Sequence, residues 1–444
     1  MITSDHFFEF ACREDYSFNR NRYFELLEKS NKRYGYLISS LYHPYIIPED
    51  EFKELKSQAE KLALLLSRVA EIYIKEAAVA AFYKFSDELN EWISIDPGYS
   101  MSVPISRYDG FWDGRTYRFC EFNTDGTSGL NDIRILDDSF LSTPMGKEFS
   151  EKYNLMRFDL PKSILEVLIA TYREFGGKGI PNIAITDYKE KSTSDEFLYL
   201  RDYFISQGYP TEICDIRNFT LQSDGLWHNN FKVDLIYRRA VTDDIISYAA
   251  DSKVFLEAYR KRAVCVVGPL RSHVIHNKQT FPFLNSTIAE KYFSSEDLSF
   301  IRERIPWTRR LSDSQSSDRQ VSDSSINLKE IIENKNDYFL KPHDSYAANG
   351  VVCGSDVTAE EWERSINSIL QSDDAKRYLV QKKIEIPTRF FAVDNIPSFR
   401  KFNVKLDPYL FGTKFCGFYT RISTKNIIAL NLQGMLLPCF VSGA

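Results

Sequence analysis

A chain of 444 residues exceeds one ordinary domain, and its 43% hydrophobic and 14% aromatic content suffices for a large core shared by two or three subdomains. A formal net charge of −6 without a basic arm argues against a dedicated nucleic-acid binder. No run approaches the roughly 18 apolar residues of a membrane span, and the acidic opening MITSDHFFEFACRED lacks a signal-peptide core, so a soluble, cytoplasmic protein is expected.

Residues 17 to about 95 read as helical: apolar residues recur at i, i+3, i+4 and i+7 until Asp96-Pro97-Gly98 breaks the pattern. From Met101 the texture changes to strands. SVPISRYD, a turn at WDG and TYRFCEFN predict an antiparallel hairpin. Residues 162 to 176 predict a helix ending at Gly176-Gly177. PNIAITDYK, DEFLYLRDYFISQG, TEICDI and KVDLIYRR then alternate strand, helix, strand and strand, the rhythm of a doubly wound α/β layer. Its first turn has no G-x-G-x-x-G, so a dinucleotide site is unsupported. SDSQSSDRQVSDSS, residues 312–325, is polar and of low complexity and reads as a mobile loop. Beyond it DYFLKP, VVCG, RYLVQKKIEI, FNVKLDPYLFG and KFCGFYTRIS predict strands, and TAEEWERSINSILQS a helix. Seven cysteines, at positions 12, 120, 214, 265, 353, 416 and 439, stand singly without a C-x-x-C pair, so a buried inert thiol is expected for each.

Chemistry concentrates first in CEFNTDGTSG. Glu121 and Asn123 are two residues apart on a strand and so share a face. One reading is an edge strand with a solvated polar face; the other is a hard-metal site, since oxygen ligands on a rigid strand suit Mg²⁺. Arg107 and Asp109 repeat the spacing on the preceding strand. If the two strands pair, these four side chains converge as three oxygen-bearing groups and a guanidinium, a set suited to a divalent cation held against phosphates. Lys278 follows Asn277 at a predicted helix start, where it could reach an anion or simply lie on the surface. Lys341 ends an apolar strand before a small-residue loop that returns through Gly350. This arrangement can close over a triphosphate, or can be an ordinary hairpin, and it is not a P-loop.

These residues, with RYDGFWDGRTYRFCEFN, HNK at 276–278, FLKP, YLVQKKI and GFYTRIS in that order across residues 101–434, resemble the circularly permuted ATP-grasp ligases, the group that includes glutathionylspermidine synthase. The resemblance implies an α/β (α+β) chain with a permuted ATP-grasp fold, an N-terminal helical region and a central doubly wound layer. Its divisions would be residues 1–98, helical; 99–160, strands with metal ligands; 161–270, a Rossmann-like layer preceding the ATP-grasp part; and 271–444, the nucleotide-binding region with its phosphate lid. It implies that Asp109, Glu121 and Asn123 hold Mg²⁺ against ATP, and that Arg107 stabilises the transferring phosphoryl group. Lys278 and Lys341 would contact phosphates, the strand around Gln381 would lie along adenine, and Arg421 would face the terminal phosphate or the activated carboxylate. Ala347-Ala348 stand where family members often place glycines. These 444 residues hold no counterpart of the amidase domain of bifunctional members, which leaves a spermidine-related substrate open.

The expected activity is therefore ATP-dependent ligation of a small-molecule or peptide carboxylate to an amine through an acylphosphate. The alternatives are a catalytically silent nucleotide-binding regulatory protein and an ATP-dependent small-molecule kinase. Neither nucleic acid nor membrane is expected as a partner. Tyr237, Arg238 and Arg239, ending a strand of the layer, could bind a substrate carboxylate or be solvent-exposed structural residues.

Overall fold

The computed structural model describes residues 2–34, 38–192, 194–315, 326–345, 348–394 and 398–443. The N-terminal part is mostly helical, with helices Tyr16–Tyr34, Glu49–Lys75, Ala77–Tyr83 and Asp87–Ser94. In Glu49–Lys75, Leu55, Leu62, Leu66, Val69 and Tyr73 recur at helical spacing and are buried, while Glu49, Asp50 and Glu51 open it and Lys75 closes it, as the helix dipole favours. The unbroken helical run expected over 17–95 is corrected at Tyr45–Pro48. This strand pairs in parallel with Cys439–Ser442. Ile46 and Ile47 favour extended backbone, and Pro44 and Pro48 on either side keep a helix from passing through. Among the described residues no helix is long and apolar enough to cross a membrane.

The sheet that matters most is antiparallel and joins distant parts of the chain. The hairpin Ile105–Trp112 and Tyr117–Asn123 pairs through its first strand with Phe399–Phe411. That strand in turn pairs with Thr388–Ala392 and with Lys414–Ser423, and Met435–Leu437 closes the edge. A second sheet runs Cys265–Val267, Leu235–Arg238, Ile183–Asp187, Thr211–Asp215, with every neighbouring pair parallel. Its faces alternate as a layer covered on both sides requires. Ile183, Ile185, Leu235 and Tyr237 pack with Leu168 and Phe197 of helices Leu160–Glu174 and Ser194–Ser206, whereas Ala184 and Ile236 pack toward Phe255 of Lys253–Arg260. A third sheet, Thr308–Arg310, Tyr378–Lys382, Tyr338–Pro342, Val352–Cys353, lies on helix Ala359–Leu370 through Trp362 and Ile366.

Several expectations are revised in detail. KVDLIYRR is split: Phe231–Val233 joins Phe219–Gln222 and Gly225–His228 in a small meander, and only Leu235–Arg238 enters the parallel sheet. Lys278 stands at the approach to a helix, as expected, but outside it. It follows the short helix His273–His276, and Thr280–Leu284 begins two residues later. Of the cysteines, Cys12 is exposed and Cys120 and Cys416 are half-buried, so only four are fully interior thiols. Of the segment expected to be a mobile loop, residues 312–315 belong to a short 3₁₀ turn, Leu311–Gln315, and residues 316–325 lie outside the described residues, as does Ala347.

The turn that ends the hairpin requires glycine. Gly129 adopts φ +93°, and a Cβ there would lie 2.5 Å from Tyr419 Cε2 and 3.0 Å from the Tyr409 hydroxyl oxygen, while its N–H donates to Glu196 Oε2 at 2.8 Å. Gly129→Ala is expected to lower stability by about 1–3 kcal/mol, read as a shift of the urea midpoint; an unchanged midpoint would show that the turn accepts a side chain.

Candidate active site

The hairpin register sets Arg107 opposite Asn123 and Asp109 opposite Glu121, with an irregularity between Asp109 and Gly110. All four side chains, together with Lys278, Lys341, Gln381 and Arg421, line one cavity of about 570 Å³. Its densest part is ionic. Asp109 is 3% exposed, and its Oδ2 lies 2.5 Å from Lys405 Nζ and 2.8 Å from Arg421 Nη2, while Oδ1 accepts from Asn123 Nδ2 at 2.9 Å. Burial alone would raise this carboxyl, but Arg421, Lys405 and Arg107 outweigh it and hold it well below the usual carboxylate range. Behind it Asp407 Oδ2 accepts from Arg421 Nε at 2.8 Å and Nη2 at 2.6 Å, and Asp407 Oδ1 accepts from the Gly110 N–H at 3.1 Å.

Glu121 Oε1 lies 2.9 Å from Lys278 Nζ, which also donates to the Ser345 carbonyl at 2.5 Å. Burial works against the Glu121 carboxylate, and Lys278 nonetheless keeps it below its ordinary value. The Lys278 N–H donates to the His343 carbonyl at 2.8 Å, so this lysine is fastened at both ends to the segment after Tyr338–Pro342. Lys341 donates to Gln381 Oε1 at 2.7 Å, and burial lowers its ammonium pKa. Gln381 Nε2 donates to Thr308 Oγ1 at 3.1 Å, so its amide is spent on holding Lys341 and the neighbouring strand. Arg107 lies over the Tyr419 ring at 4.7 Å and donates to the Ser128 carbonyl at 2.7 Å.

Three carboxylates, Asp109, Glu121 and Asp407, thus face five cations, Arg107, Lys278, Lys341, Lys405 and Arg421. The excess of positive charge suits a polyanion, and the hard oxygens of Asp109, Glu121 and Asn123 on one strand face suit Mg²⁺. The sequence reading missed Lys405 and Asp407. Their signal was the same two-residue spacing, in NVKLDPYLF, and Lys405 is directly opposite Arg421 in the ladder.

The turn after Asn123 carries the cavity to the parallel sheet. Asp125 Oδ1 pairs with Arg238 Nη1 at 2.7 Å and its Oδ2 accepts the Thr242 N–H at 2.7 Å. Of the two readings open for these arginines, the solvent-exposed one is excluded: Arg238 is 2% and Arg239 4% exposed. Arg238 is committed to Asp125 and the carbonyl of Ala240, and Tyr237 lies in the core. Arg239 pairs with Glu196 at 2.5 Å and, unlike those two, lines the cavity. Asp187, Lys191 and Asp244 line the same cavity, at the carboxyl ends of the central parallel strands. Burial pushes the Asp187 carboxyl up to about 6, against the pull of Arg239.

No family model and no curated protein sequence matches the chain. Solved structures do. A glutathione synthetase-like effector from Globodera pallida aligns with a TM-score of 0.60 at 12% identity, covering 97% of this chain and 98% of that one. The chain therefore has the overall fold of that effector, a mixed α/β architecture. A "Putative gamma-glutamylcysteine synthetase" from Methylobacillus flagellatus aligns with a TM-score of 0.44 at 13% identity over 88% of this chain and 89% of that one.

Two outcomes are expected from this geometry. Asp407→Asn removes a buried charge from the Arg421 guanidinium and should cost about 3–5 kcal/mol of stability; a loss near zero in chemical denaturation would mean that Asp109 alone satisfies Arg421. The second concerns Asp132, whose Oδ2 accepts from the Tyr419 hydroxyl at 3.0 Å and whose carboxyl is pushed up to about 7 by burial and by Glu196. This folded value lies above the unfolded one, roughly 4. Its stabilising contribution is therefore complete at acid pH and is lost as pH rises through about 7. Melting curves from pH 4 to 8 should show wild type losing stability relative to Asp132→Asn, and a constant difference would contradict the assignment.

Proposed function

We propose that the cavity binds ATP with Mg²⁺ and couples a carboxylate to an amine, through an acylphosphate and with release of ADP and phosphate. The observation that carries this reading is the ionic arrangement on the hairpin face, where hard oxygen donors and an excess of cations line one cavity. Two anions, a carboxylate and a triphosphate, must meet in line, and their mutual repulsion has to be offset by fixed positive charge. Asp109, Glu121 and Asn123 would hold the metal; when bound, Mg²⁺ neutralises phosphate charge and orients the nucleotide. Lys278 and Lys341 would exchange their present partners for phosphate oxygens. Arg107 and Arg421 would flank the transferring group, with Lys405 beside them. Cys120, Phe339 and Ile384 give the cavity an apolar wall near Lys341 and Gln381 that suits a base.

The part of the cavity lined by Asp187, Arg239 and Asp244 would take the other substrates. It opens beyond the carboxyl ends of adjacent parallel strands whose connections leave in opposite directions, a recurrent position for ligands. Its mixed charges suit a small polar molecule bearing both carboxylate and amine groups. We read the whole as an ATP-grasp arrangement in permuted order, because the metal-binding hairpin at 105–123 precedes the strands that carry Lys341 and Gln381. The divisions at 1–98, 99–160, 161–270 and 271–444 belong to the same proposal, and the likeness to a glutathione synthetase-like effector favours a ligase-type activity in general.

The test is a screen for ADP release over carboxylate and amine pools, with mass spectrometry of the product. A new amide with ADP and phosphate supports the ligase. A phosphorylated small molecule would make the protein a kinase, and nucleotide binding without turnover would make it a regulatory subunit. Glu121→Gln keeps the shape but removes a charge from the metal set, so turnover should fall roughly 100-fold or more while the fold survives. Wild-type turnover in that variant would remove Glu121 from the site.

A further inference from the structure

His273 takes no part in the proposed reaction, yet it is the focus of a second constellation. It is fully buried on the short helix His273–His276, and among the described residues neither ring nitrogen has a polar partner closer than 3.5 Å. Its Nε2 is 3.7 Å from Asp243 Oδ1 and 3.7 Å from Asp344 Oδ2, and the three atoms lie within 4.8 Å of one another. We propose that Asp243, His273 and Asp344 bind a divalent transition-metal ion, distinct from the magnesium of the nucleotide site, which fastens the segment after Tyr338–Pro342 to the parallel layer.

The spacing favours an ion over direct pairing. A protonated imidazole holding a carboxylate by charge would draw an oxygen to about 2.8 Å, whereas here both carboxylates stand off equally. Ligand atoms each about 2.1 Å from a common ion lie roughly 3.0–3.4 Å apart in octahedral or tetrahedral geometry, so small side-chain movements would close the shell. The other ring nitrogen adds independent support. Nδ1 lies 3.5 Å from Asp125 Oδ2, and Asp125 is held in place by Arg238 and by the Thr242 N–H. A carboxylate behind the imidazole is the usual way a ligating histidine is oriented and made more basic. An imidazole between two carboxylates suits Mn²⁺, Fe²⁺ or Zn²⁺, whereas Mg²⁺ and Ca²⁺ take oxygen ligands. Entry is open, since the Asp243 side chain is 44% and that of Asp344 22% exposed.

The ligands come from separate parts of the fold. Asp243 belongs to helix Thr242–Ser247 beside the parallel sheet, and Asp344 precedes Ser345, whose carbonyl accepts from Lys278. An ion here would fix the strand-to-loop segment that fastens Lys278 and thereby bias the nucleotide cavity.

The experiment uses the full chain, treated with chelator and free of nucleotide, titrated with Mn²⁺ while the electron paramagnetic resonance signal of free Mn²⁺ is followed. Saturable binding is expected in the wild type, and in a Glu121→Gln background, which weakens the proposed nucleotide-site metal, one saturable ion is expected to remain, its affinity falling roughly 10- to 100-fold or more when Asp243→Asn or His273→Gln is added. Asp243 is exposed enough that its variant should fold even if His273→Gln does not. The proposal is overturned by absence of saturable binding in the Glu121→Gln background, or by an unchanged affinity when Asp243→Asn is added to it.

Discussion

The ion pair between Asp109 and Lys405 spans 296 residues of chain and lies in the interior, and Arg421 bonds both Asp109 and Asp407 beside it. None of these groups could remain charged there alone, because an unpaired charge in a low-dielectric interior is far more costly than a pair is favourable. The early hairpin and the late hairpin are therefore obliged to meet in one register. The face carrying Arg107, Glu121 and Asn123 is oriented as a by-product of that requirement. What reads as a binding site is also the electrostatic seam that makes a single sheet from both ends of the chain.

A second seam crosses at the turn. Asp125 and Arg238 are both buried and tie the hairpin's end to the parallel layer, while Gly126 lets the backbone pass so close to the Arg239 carbonyl that a Cβ would lie 2.6 Å from it. The polar turn after the strand is thus a junction between two sheets. Asp125 and Gly126 line the cavity together with residues of both sheets, so the placement of those residues depends on rigid, desolvated contacts at this junction.

Much of the ionic face was legible because strand geometry has a period of two. Arg107 with Asp109, and Glu121 with Asn123, had to share a face once the hairpin formed. Lys405 and Asp407 obey the same period but were passed over, since polar residues in a strand ordinarily mean a solvated face, and only the partner strand shows that this one is buried. Tyr45–Pro48 and Cys265–Val267 were missed because three or four residues carry too little local pattern and owe their conformation to distant partners. HNKQ does lead into the helix Thr280–Leu284, but what holds Lys278 is its contacts to His343 and Ser345, far along the chain. The His273 constellation draws on four segments, and no spacing within any one of them announces it.

The origin of the central sheet has a consequence for synthesis. Ile105–Trp112 emerges from the ribosome well before Phe399–Phe411, the strand it must pair with, a wait on the order of tens of seconds at the usual 5–20 residues per second. Throughout that interval the nascent hairpin presents an open edge, the kind of surface that recruits strands from other chains. Arg107 and Asp109 stand on that edge strand, and inward-pointing charges are among the devices that discourage wrong pairing. The charges suited to a polyanion also guard the half-made protein against its neighbours.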